Sequence, residues 1–492
     1  MGSPELGLPP LVLNFIGGAE RPAASGECFS KLSPATGRAL CSVARSRKAD
    51  VEAAVDAARM AAPGWAAATP VYRGDLLRDI ALAMQDQREE LARLVHAETG
   101  KSLKDARGET AAAIEMGFFV AGEGRRFYGR TTTSAVPNKT AQTVRQPLGV
   151  AGLIIAANTP IANVAWKVFP ALLCGNAAVL KPSEDTPVTA WAFARLAAMA
   201  GLPPGVLNVV HGNGEEAGGP LVESPQVDVV SFTGSTSVGR WIQQAAGARL
   251  AKVCLELGGK NPIIVCEDAD LELAANWAVL SAFSNAGQRC AAGSRIIVFD
   301  QVYDRFRELL LQRIARLRVG VGDDDDFGPV INEQQLTAML AAVNAATRDG
   351  AKLLSGGKRL TGSGYDSGFY MAPTLLEGAG ADDPVSRTEL FGPISCVYRV
   401  AGFEAAIALA NDSPYGLTAA IHTADIHRAM VFTTRIRSGV AVVNGGTYGS
   451  EPHLPFGGVG ASGNGWREAG TEALDVYSDW KTVYINYDPG AV

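Results

Sequence analysis

The chain has 492 residues, 47% hydrophobic and 19% charged, with a formal net charge of −6. That length is more than one hydrophobic core serves, so two or three domains are predicted, and the composition excludes a disordered or fibrous chain. The acidic balance supplies no basic field, so neither nucleic acid nor an anionic membrane is expected as a partner.

The seven cysteines (28, 41, 174, 254, 266, 290 and 396) are odd in number, scattered, and free of any C-x-x-C pair. This signals neither a zinc ribbon nor a disulfide framework, and a cytoplasmic enzyme with reduced thiols is expected. The opening MGSPELGLPPLVLNFIGG lacks the basic and apolar regions of a signal peptide. The apolar run Val150–Ala157 is too short to span a bilayer.

In chain order, residues 48–120 carry Ala, Leu, Arg and Glu at helical spacing, and Gly100 stands where a helix C-cap is expected. Residues 127–145 alternate apolar and polar side chains, as does ALDVYSDWKTVYINY at 473–487, which suits strands of a small exposed sheet. Between them, GVAGLIIAA (149–157) reads as a strand buried on both faces. A helix over Val164–Leu173 follows, then the strand AAVLKPSE, a helix over Val188–Ala200, and the strands VLNVV and DVVSFTGS. Such alternation predicts a mostly parallel sheet with crossover helices, whose ligands lie beyond the strands' carboxyl ends. Asn158, Lys181, Glu184, Gly214, Gly234 and Ser235 sit at those ends. A second α/β region runs from about 258 to 460.

The chemistry-bearing stretches are each ambiguous alone. TGSTSVGR (233–240) follows a strand and opens a helix, so its N–H groups could meet a phosphate, but it is neither G-x-G-x-x-G nor a Walker A. Lys181 ends a buried strand and needs a partner, either a ribose or an ordinary acid. Glu256 in LELGG has apolar neighbours, which would raise its pKa toward that of a general base; a Glu on a polar strand face is the plainer alternative. Cys290 lies in GQRCAAG, too polar for a packing cysteine, and positive charge from Arg289 or backbone amides would favour its thiolate. The other six cysteines are assigned to packing, and most tryptophans to core. The five histidines show no metal-ligand spacing, and Asp323–Asp326 reads as a solvated loop, so no metal is expected.

Together these stretches resemble the aldehyde dehydrogenase superfamily. The matches run collinearly: Asn158-Thr159-Pro160, KPSE at 181–184, FTGSTSVG at 232–239, LELGGK at 255–260, GQRC at 287–290, ELFGP at 389–393, PFGG at 455–458 and SGNGWRE at 462–468. The resemblance implies an α/β fold with a Rossmann-like NAD(P)-binding domain (1–126 and 146–257), an α/β catalytic domain (258–461), and a small β oligomerisation arm (127–145 and 470–492) that builds a homodimer or homotetramer. It implies oxidation of an aldehyde to the acid through a Cys290 thiohemiacetal and thioester, with Asn158 and the Cys290 N–H holding the oxyanion. Glu256 would be the hydrolytic base, with Lys167 and Glu468 as proton relay. For the cofactor, expected to be NAD with room for NADP, it implies Ile154, Ala156, Lys181, Ser183, Glu184, Gly214, Gly218, Phe232, Thr233, Gly234, Ser235, Val238, Leu257, Glu389 and Phe391. Thr159, Asn163, Trp166, Arg289, Tyr448, His453 and Phe456 would line the substrate pocket. Arg289 suits an acidic semialdehyde, and the aromatics suit an aromatic aldehyde. The alternatives are a CoA-acylating dehydrogenase, against which Glu256 counts, and a non-catalytic dinucleotide-binding structural protein.

Overall fold

The computed structural model describes residues 7–491. Two seven-stranded sheets dominate it. In the first, the strands run in the order Lys252–Glu256, Val229–Thr233, Val150–Ile154, Ala177–Lys181 and Leu207–Val209, all parallel, with Asn14–Ile16 and Ala19–Arg21 added antiparallel at one edge. The chain winds outward from Val150–Ile154 one way through residues 177–209 and then returns to the other side at Val229. The topological switch point therefore lies between those two strands, and Asn158 and Gly234 follow their carboxyl ends.

Every residue of Val150–Ile154 and Ala177–Lys181 is buried, because helices cover both sheet faces. Val168, Phe169 and Phe193 of the helices Pro160–Leu173 and Pro187–Met199 pack with Leu153 and Leu180 in one core. Ala54 and Val55 of Lys48–Ala67 and Ile242 of Thr236–Gly247 pack with Ile154, Val179 and Val230 in the other. The first crossover helix begins at Pro160, earlier than its apolar pattern suggested, because a proline needs no N–H partner at the first helical position. Gly100 ends the helix Arg88–Thr99 in the left-handed region, with its N–H bonded to the His96 carbonyl.

The second sheet runs Lys352–Ser355, Thr374–Glu377, Ile394–Val400, Gly293–Phe299, Asn261–Val265, Thr418–His422 and Val440–Val443. Only its first strand is antiparallel. Ser478–Asn486, Lys139–Pro147 and Arg130–Thr133 form a separate three-stranded antiparallel sheet. The short strands between Leu11 and Ala44 carry too few residues for alternation to reveal them.

Some expectations fail. Cys28 is exposed, not packed, because its short strand lies on the surface. Trp241 and Trp480 are also exposed, and Trp480 stacks under the Arg145 guanidinium at 4.2 Å instead of entering a core. No helix among the described residues is long and apolar enough to cross a membrane.

Candidate active site

After the helix Leu271–Phe283 the chain turns through three successive left-handed residues, Asn285 (φ 53°), Ala286 (φ 55°) and Gly287 (φ 65°). A non-glycine residue costs about 1–2 kcal/mol in that region, so the surroundings must fix the turn. Gln288 does much of this: its Nε2 donates to the Pro329 carbonyl at 3.2 Å and its Oε1 accepts from Ile331 N at 2.9 Å. Asn285 Nδ2 donates to the carbonyls of Gln288 and Asn158, each at 3.2 Å. The turn delivers Cys290, whose carbonyl accepts from Asn261 Nδ2 at 2.8 Å. Gly259 is packed so closely on that carbonyl that a Cβ would stand 2.5 Å from it. The loop after strand Lys252–Glu256 and the cysteine loop are thus locked together.

The thiol's surroundings differ from the expected ones. Burial, then the carboxylates of Glu389 and Glu256, push the Cys290 thiol up to about 12, and Arg289 opposes them only weakly. The Arg289 guanidinium turns instead onto the Tyr448 ring, 5.1 Å from its centre. Neighbouring side chains in sequence point apart, and Arg289 supplies little of the positive charge expected at the thiol. Cys290 as a residue is half-buried.

Glu256 is buried and neither carboxylate oxygen has a hydrogen-bond partner. Burial, then Glu468, holds its carboxyl well above the usual range, while Lys167 and Arg467 pull it back. Behind it lies a buried ion pair of Lys167 and Glu468, bridged by Ser231, which accepts from Lys167 Nζ at 2.8 Å and donates to Glu468 at 3.0 Å. Glu389 accepts from Gly259 N at 3.0 Å, and burial pushes it up to about 7.

Asn158 meets this group through its backbone, since its carbonyl accepts from Asn285. Its side-chain oxygen accepts from Asn163 Nδ2 at 3.4 Å, and its own Nδ2 makes no bond to any described residue. Asn163, expected in the pocket wall, therefore orients Asn158 so that the amide donor stays free. Trp166 and Phe456 meet edge to face with ring centres 5.6 Å apart. Thr159 opens the helix at Pro160 but does not cap it with its hydroxyl. His453 is exposed, 3.7 Å from the Glu451 carboxylate.

At the switch point, Lys181 is only 3% exposed and reaches the Glu184 carboxylate at 3.0 Å, which is itself 45% exposed. Ser183 accepts from Asp185 N at 3.2 Å. Ser235 caps the helix Thr236–Gly247 by accepting from Val238 N, and the Thr233 hydroxyl is buried without a partner. A Cβ on Gly214 would meet nothing within 4 Å, and on Gly218 only Ile154 at 4.0 Å, so open space stands above both glycines. Val238 and Trp241 leave apolar surface uncovered beside it. Ile154, Phe232 and Leu257 form the buried floor, Ala156 accepts from Asn163 Nδ2, Gly234 N donates to the Glu256 carbonyl, and Phe391 is left-handed at φ 52°. A helix N-terminus, an exposed acid beside a buried lysine, an orphaned hydroxyl and an uncovered apolar wall match the parts of a dinucleotide.

Sequence reasoning overlooked Asn285 and Gln288, which hold the cysteine turn; an Asn before Ala-Gly, tolerant of the left-handed region, was the available signal. It also passed over Lys101 and Glu109, which lie among ordinary helical charges.

A half-buried cysteine on a constrained loop, a buried unpaired carboxylate and a helix N-terminus after a parallel strand are the features of an oxidoreductase site. The aldehyde dehydrogenase family model matches residues 21–483, and the chain belongs to that family. It is 39% identical to the alpha-ketoglutaric semialdehyde dehydrogenase of Bacillus subtilis over 96% of this chain and 98% of the relative. It is 38% identical to the 2,5-dioxopentanoate dehydrogenase of Saccharolobus solfataricus over 94% of this chain and 96% of that protein. The betaine aldehyde dehydrogenase of Staphylococcus aureus, solved in complex with NAD+, superposes with a TM-score of 0.95 at 33% identity, covering 97% of this chain and 95% of that one. The enzyme oxidises an aldehyde to the carboxylic acid.

Proposed function

We propose that this protein is an NAD-dependent dehydrogenase of a short semialdehyde bearing a carboxylate, and that Arg289 receives that carboxylate. One observation carries the substrate class. Arg289 makes no side-chain hydrogen bond or ion pair with any described residue, and its Nε is buried without a partner. An unpaired guanidinium one residue from the nucleophile is a costly arrangement unless an anionic ligand completes it. The relatives named for alpha-ketoglutaric semialdehyde and 2,5-dioxopentanoate support the same class. Arg289 stacked over Tyr448 also takes up the face that an aromatic aldehyde would use.

Solvent water takes the Cys290 proton, and the thiolate adds to the aldehyde carbon. Asn158 Nδ2 and the Cys290 N–H hold the oxyanion, each worth roughly 3 kcal/mol. A bound nicotinamide supplies one function, acceptance of the hydride that leaves that carbon. Collapse of the oxyanion then leaves a thioester on Cys290. Glu256 takes a proton from water, the hydroxide adds to the thioester carbon, and the sulfur departs with release of the acid. Lys167 and Glu468, joined by Ser231, would serve as the relay for that proton, supported by the influence of both charges on Glu256. Lys181 and Glu184 would hold the adenosine ribose, and the exposed Glu184 charge disfavours a 2′-phosphate, supporting NAD over NADP. Glu389 would hold the nicotinamide ribose.

In this reading residues 1–126 and 146–257 bind the dinucleotide, 258–461 supply the thiol, and 127–145 with 470–492 join subunits of a homodimer or homotetramer. Exposed Trp480, Tyr484 and Ile485 on the arm support subunit pairing. Seven free thiols fit a cytoplasmic enzyme.

The test is kcat/KM for ω-carboxylated semialdehydes against uncharged aldehydes of equal length and benzaldehyde, in wild type and Arg289→Gln. Wild type should prefer the carboxylated substrates, and the substitution should cut that preference about tenfold or more, the value of a charged hydrogen bond. An unchanged ratio, or a wild-type preference for benzaldehyde, would refute the assignment.

A further inference from the structure

Lys101 and Glu109 form an ion pair at 2.5 Å with side chains only 4% and 5% exposed. Neither is needed to hold a helix surface in water, and a buried pair is weak evidence of stabilisation. What they touch is specific. Lys101 Nζ donates to the Asn158 carbonyl at 2.8 Å. The other oxygen of Glu109 accepts from Ile161 N at 3.0 Å and lies 3.5 Å from Ala162 N. These are first-turn N–H groups of the helix Pro160–Leu173, whose own N-cap, Thr159, offers no side-chain bond. Glu109 thus caps that helix from another element, where its charge also meets the favourable end of the helix dipole. The junction between residues 155–159 and the helix is therefore gripped by one ion pair, at the Asn158 carbonyl and at the N–H groups of Ile161 and Ala162.

The same Asn158 carbonyl also accepts from Asn285 in the turn that delivers Cys290. It is a node: one donor arrives from the helical layer, the other from the cysteine loop. With the carbonyl fixed on one side and Oδ1 held by Asn163 on the other, the direction of Asn158 Nδ2 is determined. A donor aimed at a developing oxyanion works only if held to a fraction of an ångström.

We propose that Lys101 and Glu109 are positioning residues that act through Asn158, aligning its amide with the oxyanion formed at Cys290. The proposal rests on the reading of Asn158 as oxyanion donor, so Asn158→Ala is measured beside it. Removing one partner alone would strand a buried charge, so the variant is the double substitution Lys101→Met with Glu109→Gln, backed by Lys101→Gln with Glu109→Gln should the first fail to fold. Readouts are kcat and kcat/KM for a semialdehyde, the NAD dissociation constant, and the rate at which iodoacetamide alkylates Cys290, a substitution that develops no oxyanion. The double variant should lose roughly ten- to 100-fold in kcat and kcat/KM together, with alkylation and NAD binding as in wild type. Combined with Asn158→Ala it should fall no further than Asn158→Ala alone. A triple variant slower by the full product of the two losses would overturn the proposal, as would parallel losses of alkylation and NAD binding. Wild-type rates in Asn158→Ala would instead remove the oxyanion reading itself, and the strap with it.

Discussion

At Cys290 the electrostatics oppose the usual route to a reactive thiol. A free cysteine titrates near about 8.5 and reactive ones are lowered by cations or helix N-termini. Here burial and two carboxylates push the group the other way, to about 12. A raised thiol pKa means the neutral form is favoured below that value, so the thiolate fraction climbs with pH through the whole accessible range. Alkylation of the cofactor-free enzyme by iodoacetamide should therefore rise about tenfold per pH unit from about pH 7 to 9, with no plateau. A plateau below about pH 8 would show that burial does not hold the thiol neutral as described. The sequence marked Cys290 as unlike the other cysteines because its neighbours are small and polar. It could not reveal the burial of the thiol beside Glu256 and Glu389, because these lie 34 positions before and 99 positions after it. Glu256 was only half legible: its apolar neighbours hinted at burial but left a polar strand face as the plainer reading, because the loop at Gly457 that covers it lies far along the chain.

The element that matters most is the turn from Phe283 to Cys290. Its left-handed run sets the height and direction of the sulfur relative to Asn158, and Gly287 is its tightest point. A Cβ there would collide with the Gly392 carbonyl and stand 2.9 Å from that of Ala282. Gly287→Ala should lower stability by at least about 1–2 kcal/mol from the left-handed conformation alone. It should also lower kcat about 100-fold by displacing the nucleophile, while NAD affinity stays as in wild type. Thermal unfolding, NAD titration and steady-state rates check this; unchanged kcat would mean the turn does not set the geometry. Elements with long apolar runs, such as Val150–Ile154 and its crossover helix, were readable because burial on both faces leaves no polar alternation. This turn was not, since its shape depends on Gln288 reaching Pro329 and Ile331, far along the chain. The Lys101–Glu109 strap was hidden for the same reason, because a loop lysine and a helical glutamate look solvated until the fold encloses them.

At the scale of the whole molecule, the proposed site draws on both seven-stranded sheets. One contributes Asn158, Glu256 and the dinucleotide crevice, and the other contributes Cys290 and Glu389. The alternation of strands and helices, with glycines and polar residues after the strands, already fixed where such a crevice must lie. The closing of one layer on the other was visible only through collinear motifs, not through any local pattern. Under the proposed mechanism a covalent intermediate would form on the loop of one sheet and be hydrolysed from the other. Glu256→Gln probes that division directly. Mixed with NAD and a carboxylated semialdehyde, the variant should form its reduced cofactor in a single burst and then stall, and mass spectrometry should find the acyl group on the peptide containing Cys290. Steady turnover at the wild-type rate, or acylation at any of the other six cysteines, would contradict the account.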